Sequence, residues 1–404
     1  MPGLPDVSVT TGSDTLAQLV ARFDPELFWP ARAGVRVRLC IVEATVDEAA
    51  EHDVAFEGDR AFLVAPAGRA DAIIAADGET WARVLEDARG GLRAFHEGRL
   101  AIRRDLHLGV GFLAATAAVG DGDPAAALRF AQVRTSAGEI SIDEAGAGPV
   151  AILIHGLGAT KVSLLPTLAA LAQEGRRAIA LDLPGFGDST KPLRAPYDAR
   201  YFAGTVIALM DALGIECADL VGNSLGGRVA LEVGLSFPER TRRLGLLAPS
   251  LAWLRGRPWA PALRLLSPRL GLLQPAPRSL VEATVRTLLG TGVNSPWAAA
   301  GVDEFLRSYL TPRGRAAFYA AARSIYLEPP HGKRGLWTRL PALQAPSLFV
   351  WGRRDMLVPI GFESHVRRTL PAAEHLELDC GHVPQLERPE ETHRALARFL
   401  APGG

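Results

Sequence analysis

Short apolar runs recur along the chain from about residue 130 and predict a sheet. They are nearly continuous rather than alternating, which is typical of parallel strands buried on both faces. The runs lie at Val150–Ile154, 178–181, 218–221, 244–247 and 347–350. Helical patterns separate the early runs, so we expect an α/β architecture. The order breaks between about 250 and 340, where a segment rich in Leu, Ala, Pro and Trp has no strand signal.

The first 120 residues have a different pattern. Val35, Val37, Leu39 and Ile41 alternate with polar residues, which indicates a half-buried strand. Further strands are predicted at 60–65, Ala72–Ala76 and 100–102, and helices at 16–27, 78–85 and 106–119. We interpret residues 1–120 as a small α+β domain with antiparallel strands, followed by a turn-rich linker at 120–124. A second domain then covers residues 131–404, with the insertion at about 250–340.

Composition narrows the class of protein. The 404 residues carry 44 basic and 44 acidic side chains, so binding to nucleic acid through charge is not expected. Three distant cysteines, Cys40, Cys217 and Cys380, exclude a disulfide scaffold. Neither a signal peptide nor an apolar run of membrane-spanning length is visible, so we expect a cytoplasmic protein. No zinc-protease, P-loop or dinucleotide motif occurs, so no metal and no cofactor is expected.

Residues 222–226 read Gly-Asn-Ser-Leu-Gly and fit the pattern G-x-S-x-G. The pattern follows a predicted strand and precedes a predicted helix, which is the setting of a strained turn that exposes a serine. Ser224 is therefore the candidate nucleophile. The amide of Leu225, at the helix start, is a candidate oxyanion donor. Leu157, in the turn after the strand Val150–Ile154, is the candidate second donor.

Two later residues complete a candidate triad. Asp355 follows the run at 347–350, and His382 follows a strand-like segment at 375–378. The chain order Ser, Asp, His is the one expected for this sheet topology. In this scheme His382 is the general base and Asp355 orients it. His155 precedes the serine and is not expected to be the base.

These motifs together resemble the α/β-hydrolase family. The resemblance rests on residues 222–227 with residues 155–158, 182–189, 352–355 and 381–382, which fall in the family's order. It implies a mostly parallel sheet of eight strands, a helical cap inserted after the sixth strand, and a triad of Ser224, Asp355 and His382. Because relatives that open epoxides carry Asp at the elbow, Ser224 implies an acyl-enzyme route.

The N-terminal part resembles the sterol carrier protein family over about residues 14–118. The similarity lies in residues 71–77, 81–85, 94–102 and Asp105, with Arg104 where the family commonly has glycine. It implies a strand-helix sandwich around an apolar lipid tunnel. The alternative is a filled core that only supports the enzyme.

The insertion suggests the kind of substrate. Residues 251–290 contain six arginines and one acid, Glu282, beside many leucines, Trp253 and Trp259. This net charge of +5 suits an amphiphilic anionic ligand, or a transient contact with an anionic membrane surface. The first hypothesis is a serine hydrolase of a lipid-like ester. The alternatives are a C–C bond or thioester hydrolase, and a lipid-transfer protein with an idle hydrolase domain. The oligomeric state is not defined by the sequence.

Overall fold

The computed structural model describes residues 12–28, 34–42, 50–86, 91, 94–95, 97–117, 128–254, 272, 277–280 and 296–401. The chain forms two compact units, which are described separately. The N-terminal unit comprises residues up to 123 with 295–300, and the C-terminal unit comprises the rest. The linker predicted at 120–124 lies outside the described residues. In the described part of the chain, no helix is long and apolar enough to cross a bilayer.

The N-terminal unit is built on a five-stranded sheet in the order β3-β2-β1-β4-β5. Its strands are β1 Val37–Ile41, β2 Ala50–Glu57, β3 Arg60–Val64, β4 Ala72–Ala76 and β5 Leu100–Arg103. Its described helices are α1 Gly12–Val20, α2 Gly78–Glu86 and α3 Leu106–Ala115. The expected purely antiparallel pairing is wrong at one place. β1 pairs parallel to β4, because a crossover connects the first three strands to the last two.

A cluster of buried and half-buried aromatic side chains lies in this unit. Phe28 stacks on Phe56 at a ring distance of 5.0 Å, and Phe23 packs edge-on against Phe28. Phe112 of α3 reaches the same group, 6.3 Å from Phe56. Nine of the ten residues of α3 are buried, so this helix is apolar all round and lies in the interior.

The C-terminal unit contains an eight-stranded sheet in the order β13-β12-β11-β10-β8-β9-β7-β6. Its strands are β6 Arg129–Thr135, β7 Gly138–Ala145, β8 Val150–Ile154, β9 Arg177–Leu181, β10 Ala218–Asn223, β11 Thr241–Leu247, β12 Ser347–Gly352 and β13 Glu374–Leu378. The pairs from β9 to β13 are parallel, whereas β7 pairs antiparallel to both β6 and β9. The predicted mostly parallel, eight-stranded sheet is confirmed.

Helices cover both faces of this sheet, which explains why its central strands are buried throughout. The described helices are α4 Leu165–Gln173, α5 Ala199–Ala212, α6 Leu225–Ser236, α7 Pro296–Tyr309, α8 Pro312–Leu327, α9 Leu336–Arg339, α10 Phe362–Thr369, α11 Pro384–Glu387 and α12 Pro389–Leu400. Residues 296–300 of α7 are counted with the N-terminal unit. One apolar core lies under α5 and α6, and the other under α4 and α12.

The described part of the insertion between β11 and β12 contains the helices α7, α8 and α9. Most of the basic segment 251–290 lies outside the described residues. Arg278 is described and forms an ion pair with Asp303 of α7, at 2.6 Å.

Candidate active site

Ser224 stands at a turn with unusual backbone geometry. It joins β10 directly to α6, with φ of 54° and ψ of −114°. A side chain at either flanking glycine would clash, because a Cβ at Gly222 would lie 2.3 Å from the backbone of Gly226. A Cβ at Gly226 would lie 1.9 Å from the carbonyl oxygen of Ile154. The two glycines therefore permit the tight turn that presents Ser224.

The turn after β8 lies next to this serine. A Cβ at Gly156 would be 3.3 Å from the Cβ of Ser224. Leu157, the predicted oxyanion donor, is the next residue of this turn. Leu225, the other predicted donor, is the first residue of α6, so its amide has no acceptor inside the helix. The fold thus brings the segments that carry both predicted donors to Ser224.

Asp355 and His382 form a hydrogen-bonded pair. The Nδ1 atom of His382 lies 2.7 Å from Oδ2 of Asp355. The other carboxylate oxygen accepts hydrogen bonds from the amides of Leu357 and Val358, at 2.8 and 2.9 Å. Because Nδ1 donates to a carboxylate, neutral His382 leaves Nε2 as its proton acceptor.

The strand order places these three residues at the same edge of the sheet. Ser224, Asp355 and His382 follow β10, β12 and β13, and the carboxyl ends of parallel strands share one edge of the sheet. A direct link also exists, since the side-chain amide of Asn223 donates to the carbonyl of His382 at 3.2 Å.

Glu387 holds the loop of His382 and was not found from the sequence. Its two carboxylate oxygens accept from the amides of Gly381 and Val383, at 2.8 and 3.1 Å. These amides flank His382 on both sides, so one carboxylate fixes the loop on which the imidazole stands. The only sequence signal is an acid five residues after the histidine, which is too common to be recognised.

His155 has a structural role. The ring is fully buried, its Nδ1 contacts the carbonyl of Gly156 at 2.7 Å, and its Nε2 accepts from the amide of Leu183 at 3.0 Å. Burial lowers the pKa of His155, so the ring is neutral and both nitrogens are engaged. It ties the turn after β8 to the loop after β9, in agreement with its exclusion as the base.

A buried group of charges lies beneath the same turn. Lys161 donates to Asp182 through both its amide and its Nζ, each at 2.8 Å. The Nζ also lies 3.9 Å from carboxylate oxygens of Asp143 and Asp188. Burial alone would raise the pKa of Asp182, but the charge of Lys161 holds it well below its ordinary value. Sequence reasoning assigned Lys161 no role.

Helices of the insertion cover the turn after β8. A Cβ at Gly158, whose φ is 76°, would lie 2.7 Å from the ring of Phe305 and 3.1 Å from that of Phe318. Phe305 stacks on Tyr309 at 5.0 Å and meets Phe318 edge-on at 5.6 Å. An aromatic cluster on α7 and α8 therefore stands over the candidate oxyanion turn.

No group of three potential metal ligands occurs among the residues that the structure describes. This edge of the sheet carries a strained serine, a carboxylate-oriented histidine and the segments with the predicted donor amides. Such a set can carry out acyl transfer by nucleophilic catalysis.

Comparison with known proteins agrees with this geometry. Residues 149–389 match the family model described as the alpha/beta hydrolase fold. The chain is 30% identical over 277 residues to 2-hydroxymuconate semialdehyde hydrolase of Pseudomonas putida, covering 65% of this chain and 90% of that enzyme. It is 33% identical over 262 residues to the dihydrolipoyllysine-residue acetyltransferase component of the acetoin cleaving system of Pseudomonas putida, covering 63% of this chain and 64% of that protein.

The chain is also similar to a solved structure of a phospholipase. A bacterial membrane phospholipase A superposes with a TM-score of 0.54 at 29% identity, over 68% of this chain and 86% of that chain.

The family match lies at residues 149–389 and does not include residues 14–118. The similarity of residues 14–118 to sterol carrier proteins therefore stays a prediction.

Proposed function

Because this chain belongs to the α/β-hydrolase family and is a hydrolase of that fold, we propose that it is a serine hydrolase that cleaves a carbon–carbon bond next to a carbonyl group. We further propose that its substrate is a small organic acid resembling 2-hydroxymuconate semialdehyde. The hydrogen bond between Asp355 and His382, at the sheet edge that carries Ser224, is the observation that supports serine catalysis.

In the proposed reaction, Ser224 attacks the carbonyl carbon and His382 accepts the proton of the hydroxyl group. The amides of Leu157 and Leu225 stabilise the resulting oxyanion. The carbon–carbon bond then breaks, its electron pair passes to the departing carbon, and His382 returns the proton to that carbon. Water activated by His382 hydrolyses the acyl-enzyme, while Asp355 keeps the imidazole oriented.

The choice of bond rests on similarity. The 30% identical relative that this chain matches over 90% of its length is a hydrolase of 2-hydroxymuconate semialdehyde. This relationship favours C–C cleavage over the lipid-like ester that we expected first. Hydrolysis of a lipid ester is the second candidate, and the 29% identity to a membrane phospholipase A supports it.

The N-terminal unit is proposed to bind a lipid-like ligand, as its resemblance to sterol carrier proteins implies. The interior position of the apolar helix α3 supports an apolar environment. The aromatic cluster of Phe28, Phe56 and Phe112 supports the alternative, in which the core is filled by side chains and binds no ligand.

Two matched assays test the hydrolase proposal. We expect kcat/KM for 2-hydroxymuconate semialdehyde to exceed that for any p-nitrophenyl ester, from acetate to palmitate. Ser224→Ala should abolish turnover of both substrate types, with unfolding behaviour unchanged. A fluorophosphonate should label the wild-type protein and not the variant, as measured by intact mass.

Each other outcome has a definite meaning. A higher kcat/KM for long-chain esters would replace C–C cleavage by lipid ester hydrolysis. Labelling without turnover of either substrate type would contradict both proposed reactions, while still supporting Ser224 as the nucleophile. Absence of labelling would contradict serine catalysis and favour a binding protein with an idle hydrolase domain.

A further inference from the structure

A cavity of about 590 Å³ lies in the C-terminal unit beside the candidate active site. Its walls are residues 195–200 at the beginning of α5, the start of α6, the last turns of α8 and the loop that follows α8. Leu225 lines it, whereas Ser224 and His382 are not among the described residues of its wall. The cavity thus reaches Leu225, the residue that directly follows the candidate nucleophile Ser224.

The wall of this cavity is positively charged. Arg200, Arg228, Arg323 and Arg334 line it, against two carboxylates, those of Asp198 and Glu328. Asp198 is already engaged as the N-cap of α5, where it accepts from the amide of Tyr201 at 2.8 Å. A net charge of +2 in a chain whose overall charge is zero indicates a place suited to an anion.

Arg228 is the buried member of this group, with 3% of its surface exposed. Its Nε lies 2.9 Å from both carboxylate oxygens of Glu328, and its Nη2 donates to Glu232 at 2.9 Å. Its Nη1 is buried and has no hydrogen-bond partner in the described part of the chain. Two carboxylates therefore engage the Arg228 guanidinium, which holds the start of α6 against the end of α8.

The backbone of the wall is also strained. Tyr197 has a φ of 52°, although it is not a glycine, and it belongs to the segment that lines the cavity. Its ring is buried, and its hydroxyl donates to the carbonyl of Pro192 at 2.7 Å, which keeps this segment in place. Strain that the surroundings enforce is often found at ligand sites.

We propose that this cavity binds an organic anion, a carboxylate or a phosphate ester, with its charged group near Arg323 and Arg334. Guanidinium groups bind both anions through paired hydrogen bonds. A volume of about 590 Å³ suits a small organic ligand. The anion is either the acid end of the substrate or a separate effector, and the proposal holds whichever bond Ser224 cleaves.

Calorimetric titration of the whole protein tests the site with benzoate and phenyl phosphate, and with benzamide as the neutral control. We expect saturable binding of an anion that weakens with added salt, and no binding of benzamide. Arg323→Gln and Arg334→Gln should each lower the affinity for the anion at least fivefold. The matched controls Arg313→Gln and Lys333→Gln remove exposed cations that do not line the cavity and should change binding less than twofold.

A second titration uses protein whose Ser224 has been blocked by a fluorophosphonate. Unchanged anion affinity would identify a separate effector, and lost affinity would identify the acid end of the substrate. Both results support the proposal when the Arg323 and Arg334 variants bind weakly. The proposal is overturned if neither anion binds below about 10 mM, if benzamide binds equally well, or if all four variants bind as the wild type does.

Discussion

Two side chains hold the backbone around His382 in the candidate site. The carboxylate of Glu387 accepts hydrogen bonds from the amides on both sides of His382. Asn223 adds a bond from the elbow to the carbonyl of His382. The imidazole is therefore held through its backbone as well as through Asp355, which limits its movement relative to Ser224.

Replacing Glu387 by Gln should lower kcat by about tenfold, because the amide side chain keeps one acceptor and loses the charge-assisted pair. KM should change less than twofold, since Glu387 is not placed in a substrate pocket. Steady-state kinetics on the preferred substrate give both values. Glu390→Gln, at an exposed position of α12, is the matched control. A rise in KM with kcat unchanged would contradict a role in positioning His382.

Loops at the ends of neighbouring strands are joined by buried charge. Lys161 follows β8, Asp182 follows β9, and their side chains are both fully buried. Asp182 also accepts from the amide of Asp188, which in turn pairs with Arg307 of α7 at 2.8 Å. A chain of contacts thus runs from the turn after β8 to a helix of the insertion.

Lys161→Met should lower the free energy of unfolding by about 3–5 kcal/mol, because it leaves Asp182 buried without its cation. Lys161→Met with Asp182→Asn should recover part of this loss, since no unpaired charge remains at that position. Urea denaturation of the wild type and both variants provides the measurement. Equal losses in the single and double variants would show that Lys161 stabilises the fold through packing alone.

Most strands with continuous or alternating apolar residues were predicted from the sequence, whereas β2, β6 and β7 were missed. β10 and β12 are buried at every position, and their apolar runs identified them. β6 is an edge strand with Gln132 and Arg134 in it, so its pattern is weak. β2 was missed because Asp53, which pairs with Arg38 at 2.7 Å, interrupts its apolar face.

The candidate site divides in the same way. Ser224, Asp355 and His382 were predicted because the elbow pattern and the chain order are specific. Glu387 contacts residues four and six positions before it, a spacing too common to be recognised. Lys161 contacts Asp182, 21 residues further along the chain, and no spacing rule identifies that pair. The cavity beside Leu225 combines three separate segments, so only the folded chain brings its arginines together.

The whole chain combines two units, and the proposed lipid ligand of the N-terminal one can be tested without separating them. A fluorescent fatty acid should bind saturably to the full-length protein. Binding should persist after a fluorophosphonate has blocked Ser224, because the proposed lipid site lies in the other unit. Fluorescence titration before and after blocking gives the two affinities. Loss of binding on blocking would assign the lipid to the hydrolase site and leave the N-terminal unit a support.

The geometry of Ser224 has a consequence for how this protein responds to selection. Its positive φ costs about 1–3 kcal/mol for a residue other than glycine. Glycine at position 224 would relieve that strain and remove the hydroxyl on which the proposed chemistry depends. A library screened only for heat resistance should therefore enrich glycine at 224, and a screen for turnover should retain serine. At this position durability and activity favour different amino acids.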